Sequence, residues 1–126
     1  MLINKDLPKK IPVFPLSNFI IFPKTTVPLN IFEPRYIQMV NDVMKSNKLL
    51  GMIQPRTNED LSNPPQLHKV GCLGKITSFR ETDDGRYLIE LKGLIRFQYI
   101  KEIETDKTYR ILEVNYDKFS EDLNTK

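Results

Sequence analysis

A mainly β fold with one helix is what this sequence predicts, and three observations carry the prediction. Short apolar segments rich in β-branched residues recur between proline- and glycine-marked turns. A single segment changes convincingly to the helical period. An Asp-Asp-Gly turn joins two long alternating runs into a hairpin. Together they describe a small, partly closed β-barrel of about six strands with one helix packed against it, drawn across an opening.

The elements follow in order. "IPVFPL", Ile11 to Leu16, reads as a short strand, and Pro12 and Pro15 assign it to an edge or irregular position. A second strand is expected from Thr25 to Phe32. Tyr36, Ile37, Val40, Val43 and Met44 then fall on one helical face, opposite Gln38, Asn41, Asp42 and Lys45. Pro34 suits the first helical turn, and Asn47 in "SNK" suits a left-handed stop. "LLGMIQP", Leu49 to Pro55, returns to strand character. Arg56 to Gln66 lacks an apolar period and reads as a surface loop. "VGCLGKITSFRET" and "YLIELKGLIRFQYI" form the hairpin, with Asp83, Asp84 and Gly85 supplying left-handed turn positions. Beyond the turn, Tyr87, Ile89 and Leu91 share the buried face, and Gly93 marks a bend or bulge. The last strand, Tyr109 to Tyr116, puts Leu112, Val114 and Tyr116 on one side. "KFSEDLNTK" frays or begins another element.

Size and composition agree with one soluble domain. The chain has 126 residues, 40% of them hydrophobic and 28% charged. Its formal charge of +3, from nineteen basic and sixteen acidic residues, is too small and too scattered to argue for nucleic acid or an anionic membrane. One cysteine, Cys72, can form neither an internal disulfide nor a thiolate zinc cage. No signal peptide is visible, and "IPVFPLSNFIIFP" is proline-broken and too short to span a bilayer, so a cytoplasmic location is expected.

The catalytic inventory is thin. Lys24-Thr25 and Lys45-Ser46 lack the glycines of a phosphate-binding loop. The single histidine, His68, has no second ligand at metal spacing. Residues four apart on an extended chain lie roughly 13 Å apart, so His68 is too far from Cys72 to act as its base. Cys72 reads instead as a small buried hydrophobe. Glu81, Asp83 and Asp84 are ordinary turn carboxylates. No catalytic residue, metal site or cofactor is expected. Phe79-Arg80, Arg86-Tyr87 and Arg96-Phe97 have some of the aromatic–basic interleaving of RNA-binding sheets, which core packing and solvation explain as well.

Four stretches in order carry a further signal: "IPVFPLSNFIIFPKTTVPLNIFEPRY", "LHKVGCLGKI", "DDGRYLIELKGLIRF" and "YRILEVNY". Their Pro-Leu start, "FP" step, acidic helix entry, Val-Gly strand, "DG" hairpin and Lys-Gly…Arg-Phe strand resemble the N-terminal substrate-binding domain of the Lon protease family. Each motif is weak alone, and the ordered set spans nearly the whole chain. Cys72 departs from the family, which often has a hydroxyl residue there, and Ile95 stands where an acidic or polar residue is commoner. The resemblance implies a PUA-like barrel over residues 1–117, with 118–126 a polar tail that starts a helical subdomain. It also implies a part in selecting unfolded or tagged protein segments for an ATPase and Ser-Lys peptidase whose sequences are missing here. A stand-alone LON domain, or a chain cut after the β-subdomain, is therefore expected.

The expected function is a non-catalytic module that binds proteins or peptides, with an RNA-binding PUA-like domain as the alternative. The expected partners are unfolded or tagged protein segments, then a protease or a second copy of the chain, with no membrane and with nucleic acid disfavoured. Apolar "NFIIFP", with Phe19, Ile20 and Ile21, and the hairpin pair Phe79 and Tyr87 are the candidate contact residues. Glu33, at the start of the helix, is expected to pair with Arg35 or with Arg96, pinning helix to barrel.

Overall fold

The computed structural model describes residues 7–16, 21–56 and 66–123. Six strands and one α-helix follow in the order β1 (Lys10–Pro15), β2 (Thr26–Ile31), α1 (Pro34–Met44), β3 (Leu49–Ile53), β4 (Val70–Glu81), β5 (Tyr87–Ile103) and β6 (Arg110–Asn115). A 3-10 segment, Asp117–Leu123, broken at Phe119, follows β6. The sheet runs β2-β5-β4-β3-β1-β6, and β6 pairs back onto β5, which closes a barrel.

β5 makes this closure possible by its length. It pairs with β2 up to Lys92, with β4 along most of its course, and with β6 from Gln98 onward. Two register shifts against β4 bend it, one beside Gly74 and Gly93 and one at Thr77. An extra residue on one strand kinks a ladder and deepens its twist, which turns one hairpin into both barrel wall and protruding wing. Gly93 has a second reason to be glycine. A Cβ there would lie 2.2 Å from the Phe22 carbonyl oxygen, where the chain before β2 crosses.

The proline-rich β1 is an interior strand, not the edge its sequence suggests. It pairs in parallel with β3 through Val13–Pro15 and antiparallel with β6 through Lys10–Val13. The Lys9 carbonyl meets β6 and the Leu16 N–H meets β3, and backbone direction alternates between them. Pro12 therefore points toward β3 before that pairing begins, and Pro15 toward β6 after that pairing ends. Neither missing N–H interrupts a ladder. Pro28 follows the ordinary rule, since β2 pairs only with β5 and Thr25 on the alternate phase faces β5.

The interior divides into two apolar clusters on opposite faces of the same strands. Inside the barrel lie Ile11, Val13, Leu49, Ile53, Leu73, Ile95, Phe97, Leu112 and Val114. Gly51 leaves room for Phe97 and Ile11, which approach its Cβ position to 3.0 and 2.8 Å. On the other face, Leu50, Met52, Cys72, Ile76, Ile89 and Leu91 pack with the helix. The helix thus covers an outer wall of the barrel and does not cross an opening.

α1 buries Tyr36, Met39, Val40 and Val43. Met39, absent from the expected face, is wholly buried, while Ile37 and Met44 are half-buried at its margins. Burial of side chains of this size stabilises by about 1.5–3 kcal/mol each. Pro34 begins the helix, as expected, with Glu33 at the N-cap. At the other end the left-handed residue is Lys48 (φ 62°), not Asn47. The Lys48 N–H reaches the Val43 carbonyl, while the Asn47 side chain accepts from the Leu49 N–H. In the hairpin turn Gly85 alone is left-handed (φ 85°), and Asp83 and Asp84 are not. Asp84 instead binds Thr82 and Arg86 across the turn.

Candidate functional site

Among the described residues, an apolar cleft of about 200 Å³ opens on the outer wall of β3, β4 and β5. Met52 and Cys72 come from neighbouring strands at paired positions, and Ile21 packs with them from the segment before β2. These three side chains are buried, and the cleft opens toward Phe22 (59% exposed) and Val70 (45% exposed). Gln54 and Arg96 add the polar rim. Gly71, beside Cys72, serves the barrel side of the wall: a Cβ there would lie 2.5 Å from the Phe97 ring and 2.6 Å from the Met52 carbonyl oxygen.

The chemistry of this lining is that of a receptor for an apolar side chain. Burial pushes the Cys72 thiol up to about 12, so it stays protonated and is no nucleophile. His68 is exposed, away from that thiol's buried setting. No group of three or more His, Cys, Asp or Glu side chains that could hold a metal is present among the described residues.

Arg96 belongs to the cleft and to the C-terminal segment at once. Its Nε and Nη2 each lie 2.9 Å from an Asp122 oxygen, and its guanidinium stands 4.7 Å from the centre of the Phe119 ring. Its backbone N–H also donates to Asp122, in the stretch of β5 between the end of β2 pairing and the start of β6 pairing. The 3-10 segment thereby substitutes for a strand at that gap. This pair holds the Asp122 carboxyl below the usual carboxylate range.

Glu33 reaches Arg35 at 3.2 Å, and both side chains are about half exposed. Since Arg96 is held by Asp122, Glu33 does not join the helix to the barrel. Two tyrosines, one opening β5 and one just before β6, do that. Tyr87 donates to Asn41 (2.8 Å), and Tyr109 donates to Asp42. Nothing in the local sequence marks these pairs, because their members lie 46 and 67 residues apart.

The other candidate contact residues scatter. Phe19 and Ile20 lie outside the described residues. Ile21 is buried in the helix-side cluster and lines the cleft, while its neighbour Phe22 provides the exposed rim. Phe79 and Tyr87 stack edge-on at 4.8 Å on the hairpin wing, and neither lines the cleft. Sequence reasoning missed Met52, Gln54 and the exposed Val70. The signal of Val70, an apolar residue at a strand start beside a polar loop, is too common to single it out.

The sequence profile of the "ATP-dependent protease La (LON) substrate-binding domain" matches residues 10–126. The chain belongs to the LON substrate-binding domain family. Among similar curated proteins is the Lon protease of Desulfosudis oleivorans, 32% identical over 102 residues, covering 79% of this chain and 12% of that protein. The Lon protease of Dictyoglomus thermophilum is 26% identical over 107 residues, covering 85% and 14%. The chain thus spans about an eighth of the length of these relatives. A Lon N-terminal domain protein from Xanthomonas campestris has the same fold with a TM-score of 0.69 at 26% identity, over 85% of this chain and 59% of that one. The N-terminal domain of a Mycobacterium avium complex Lon protease superimposes with a TM-score of 0.67 over 86% of this chain and 54% of that one, at 16% identity, which speaks to fold alone. The chain therefore has the fold of Lon N-terminal domains. No helix among the described residues is long and apolar enough to cross a membrane.

Proposed function

We propose that this LON domain is a non-catalytic recognition module that captures exposed apolar segments of other proteins. The observation that carries the reading is the cleft over Met52 and Cys72, with Phe22 and Val70 standing exposed at its mouth. An unfolded segment offers single bulky side chains from an extended backbone. A small apolar hollow with a polar rim receives one such side chain without requiring a defined sequence. Release of water from Phe22 and Val70 adds favourable area at about 25 cal/mol per Å². Gln54 lines the polar rim, and Arg96 is held there by Asp122. Membership of a family named for substrate binding supports the same reading.

The test is a fluorescence titration with a reduced, carboxymethylated protein that cannot refold. Val70→Asp and Phe22→Ser place polar groups at the mouth without entering the core. Both are expected to weaken binding by about tenfold, or about 1.4 kcal/mol, with thermal stability unchanged. Equal binding by wild type and both variants would remove the cleft from the function.

A further inference from the structure

The face of the β2–β5–β4 wing that turns away from the helix has a charge arrangement that the cleft does not explain. Lys75 on β4 and Lys92 on β5 are direct cross-strand partners, and both are exposed. Like charges opposite one another in an antiparallel pair repel, because their Cβ atoms are about 5 Å apart. No carboxylate lies within ion-pair distance of either among the described residues. Lys75 lies on the opposite face of β4 from Cys72 and Ile76, so this surface is separate from the cleft.

Two further lysines neighbour this pair along the backbone. Lys24 donates its N–H to the Gly93 carbonyl beside Lys92, and the Lys48 carbonyl accepts from Ile76 beside Lys75. These two lysines are the non-glycine residues with left-handed backbone among those described (φ 69° and 62°). Lys48 serves as the helix stop. Lys24 also lies close enough to Asp122 to help depress that carboxyl. Farther along the wing, Arg80 pairs with Leu88 on the same face, and Glu90, paired with Ser78, is the carboxylate among them.

We infer that this face docks an extended, acidic segment of a partner protein, its carboxylates seated between Lys75 and Lys92. An extended segment presents alternate side chains to one side, so Asp or Glu at every second position faces the sheet together. Such carboxylates relieve the Lys75–Lys92 repulsion, which hydration alone leaves in place. A nucleic acid fits less well. Its affinity depends on many phosphate contacts in succession, whereas Glu90 and the acidic turn at Asp83 and Asp84 interrupt this surface.

Fluorescence anisotropy of a labelled peptide of alternating Glu and Gly tests the inference on the intact chain. The peptide is expected to bind, to weaken severalfold between about 50 and 500 mM salt, and to outcompete its Lys-Gly counterpart. Lys75→Glu and Lys92→Glu are each expected to weaken it by about fivefold or more. Each also creates an opposite-charge cross-strand pair, so thermal stability should hold or rise, which separates lost binding from lost folding. Val70→Asp, in the cleft, should leave this peptide's binding unchanged, so the two surfaces are read independently. Unaltered binding by both lysine variants, equal binding of the Lys-Gly peptide, or displacement by a single-stranded oligonucleotide at lower concentration would overturn the assignment.

Discussion

The Asp122 carboxylate accepts from Arg96 at the backbone N–H (3.0 Å), Nε (2.9 Å) and Nη2 (2.9 Å), tying the last described turn of the chain to the middle of β5. One carboxylate thus completes a sheet edge and fixes a cation at the cleft rim. Asp122→Ala is expected to cost about 1–2 kcal/mol, because the Arg96 side chain is half exposed and water replaces part of what is lost. The specific readout is hydrogen exchange at the Arg96 amide, which should accelerate in the variant. Unchanged protection at that amide would mean the 3-10 segment does not cap β5.

Acid should weaken the fold through two depressed carboxyls. Asp42 lies below its ordinary value because Tyr109 donates a hydrogen bond to it, with Gln38 and Lys107 adding to the effect. Asp122 is lowered mainly by its hydrogen bonds from Arg96. A carboxyl depressed in the folded state contributes stability above its unfolded pKa, and loses it as pH falls through the folded value. Stability should therefore be level from about pH 7 to 5 and decline below about pH 4. Denaturant titrations across that range on wild type, Asp42→Asn and Asp122→Asn check it, and the variants should show a flatter acid limb.

Gly93 and Gly85 should respond differently to a side chain. At Gly93 the added Cβ meets backbone, the Phe22 carbonyl, which cannot rotate away. Gly93→Ala is expected to cost about 1–3 kcal/mol and to displace Phe22 from the cleft mouth. At Gly85 nothing lies within 4 Å and only the left-handed φ matters. Gly85→Asn should cost less than about 1 kcal/mol, since asparagine tolerates that conformation. Urea denaturation of the two variants gives the ordering directly.

The helix is held by tyrosines, not by the charged residue at its start. Glu33→Gln should change stability by less than about 0.5 kcal/mol, as expected for an exposed pair. Tyr109→Phe removes the donor to Asp42 and should cost about 1–2 kcal/mol. A larger effect from Glu33→Gln than from Tyr109→Phe would reverse this assignment of roles.

Local patterns made the helix, the long hairpin and the inward face of the last strand legible. Pro34, the Asp-Asp-Gly turn and the alternation of Leu112, Val114 and Tyr116 each act over a few residues. Where the outcome depends on which neighbour arrives, local reading fails. Pro12 and Pro15 indicate an edge, yet β1 is interior because its two neighbours overlap at Val13 alone. Asn47 has the side chain for a left-handed stop, but one residue more of helical winding places that turn at Lys48. The cleft draws Ile21, Met52, Cys72 and Arg96 from four separate segments, so no window of sequence contains it. The apolar "NFIIFP" stretch pointed to the right neighbourhood, and the fold then buried Ile21 and exposed Phe22.

Amide chemical-shift mapping with an uncharged apolar peptide locates binding at the cleft without altering the protein. Perturbations are expected at Phe22, Met52, Val70, Cys72 and Arg96, with Lys75 and Lys92 on the other face of the sheet unmoved. Saturable perturbations confined to the hairpin wing, or none at millimolar peptide, would contradict that placement.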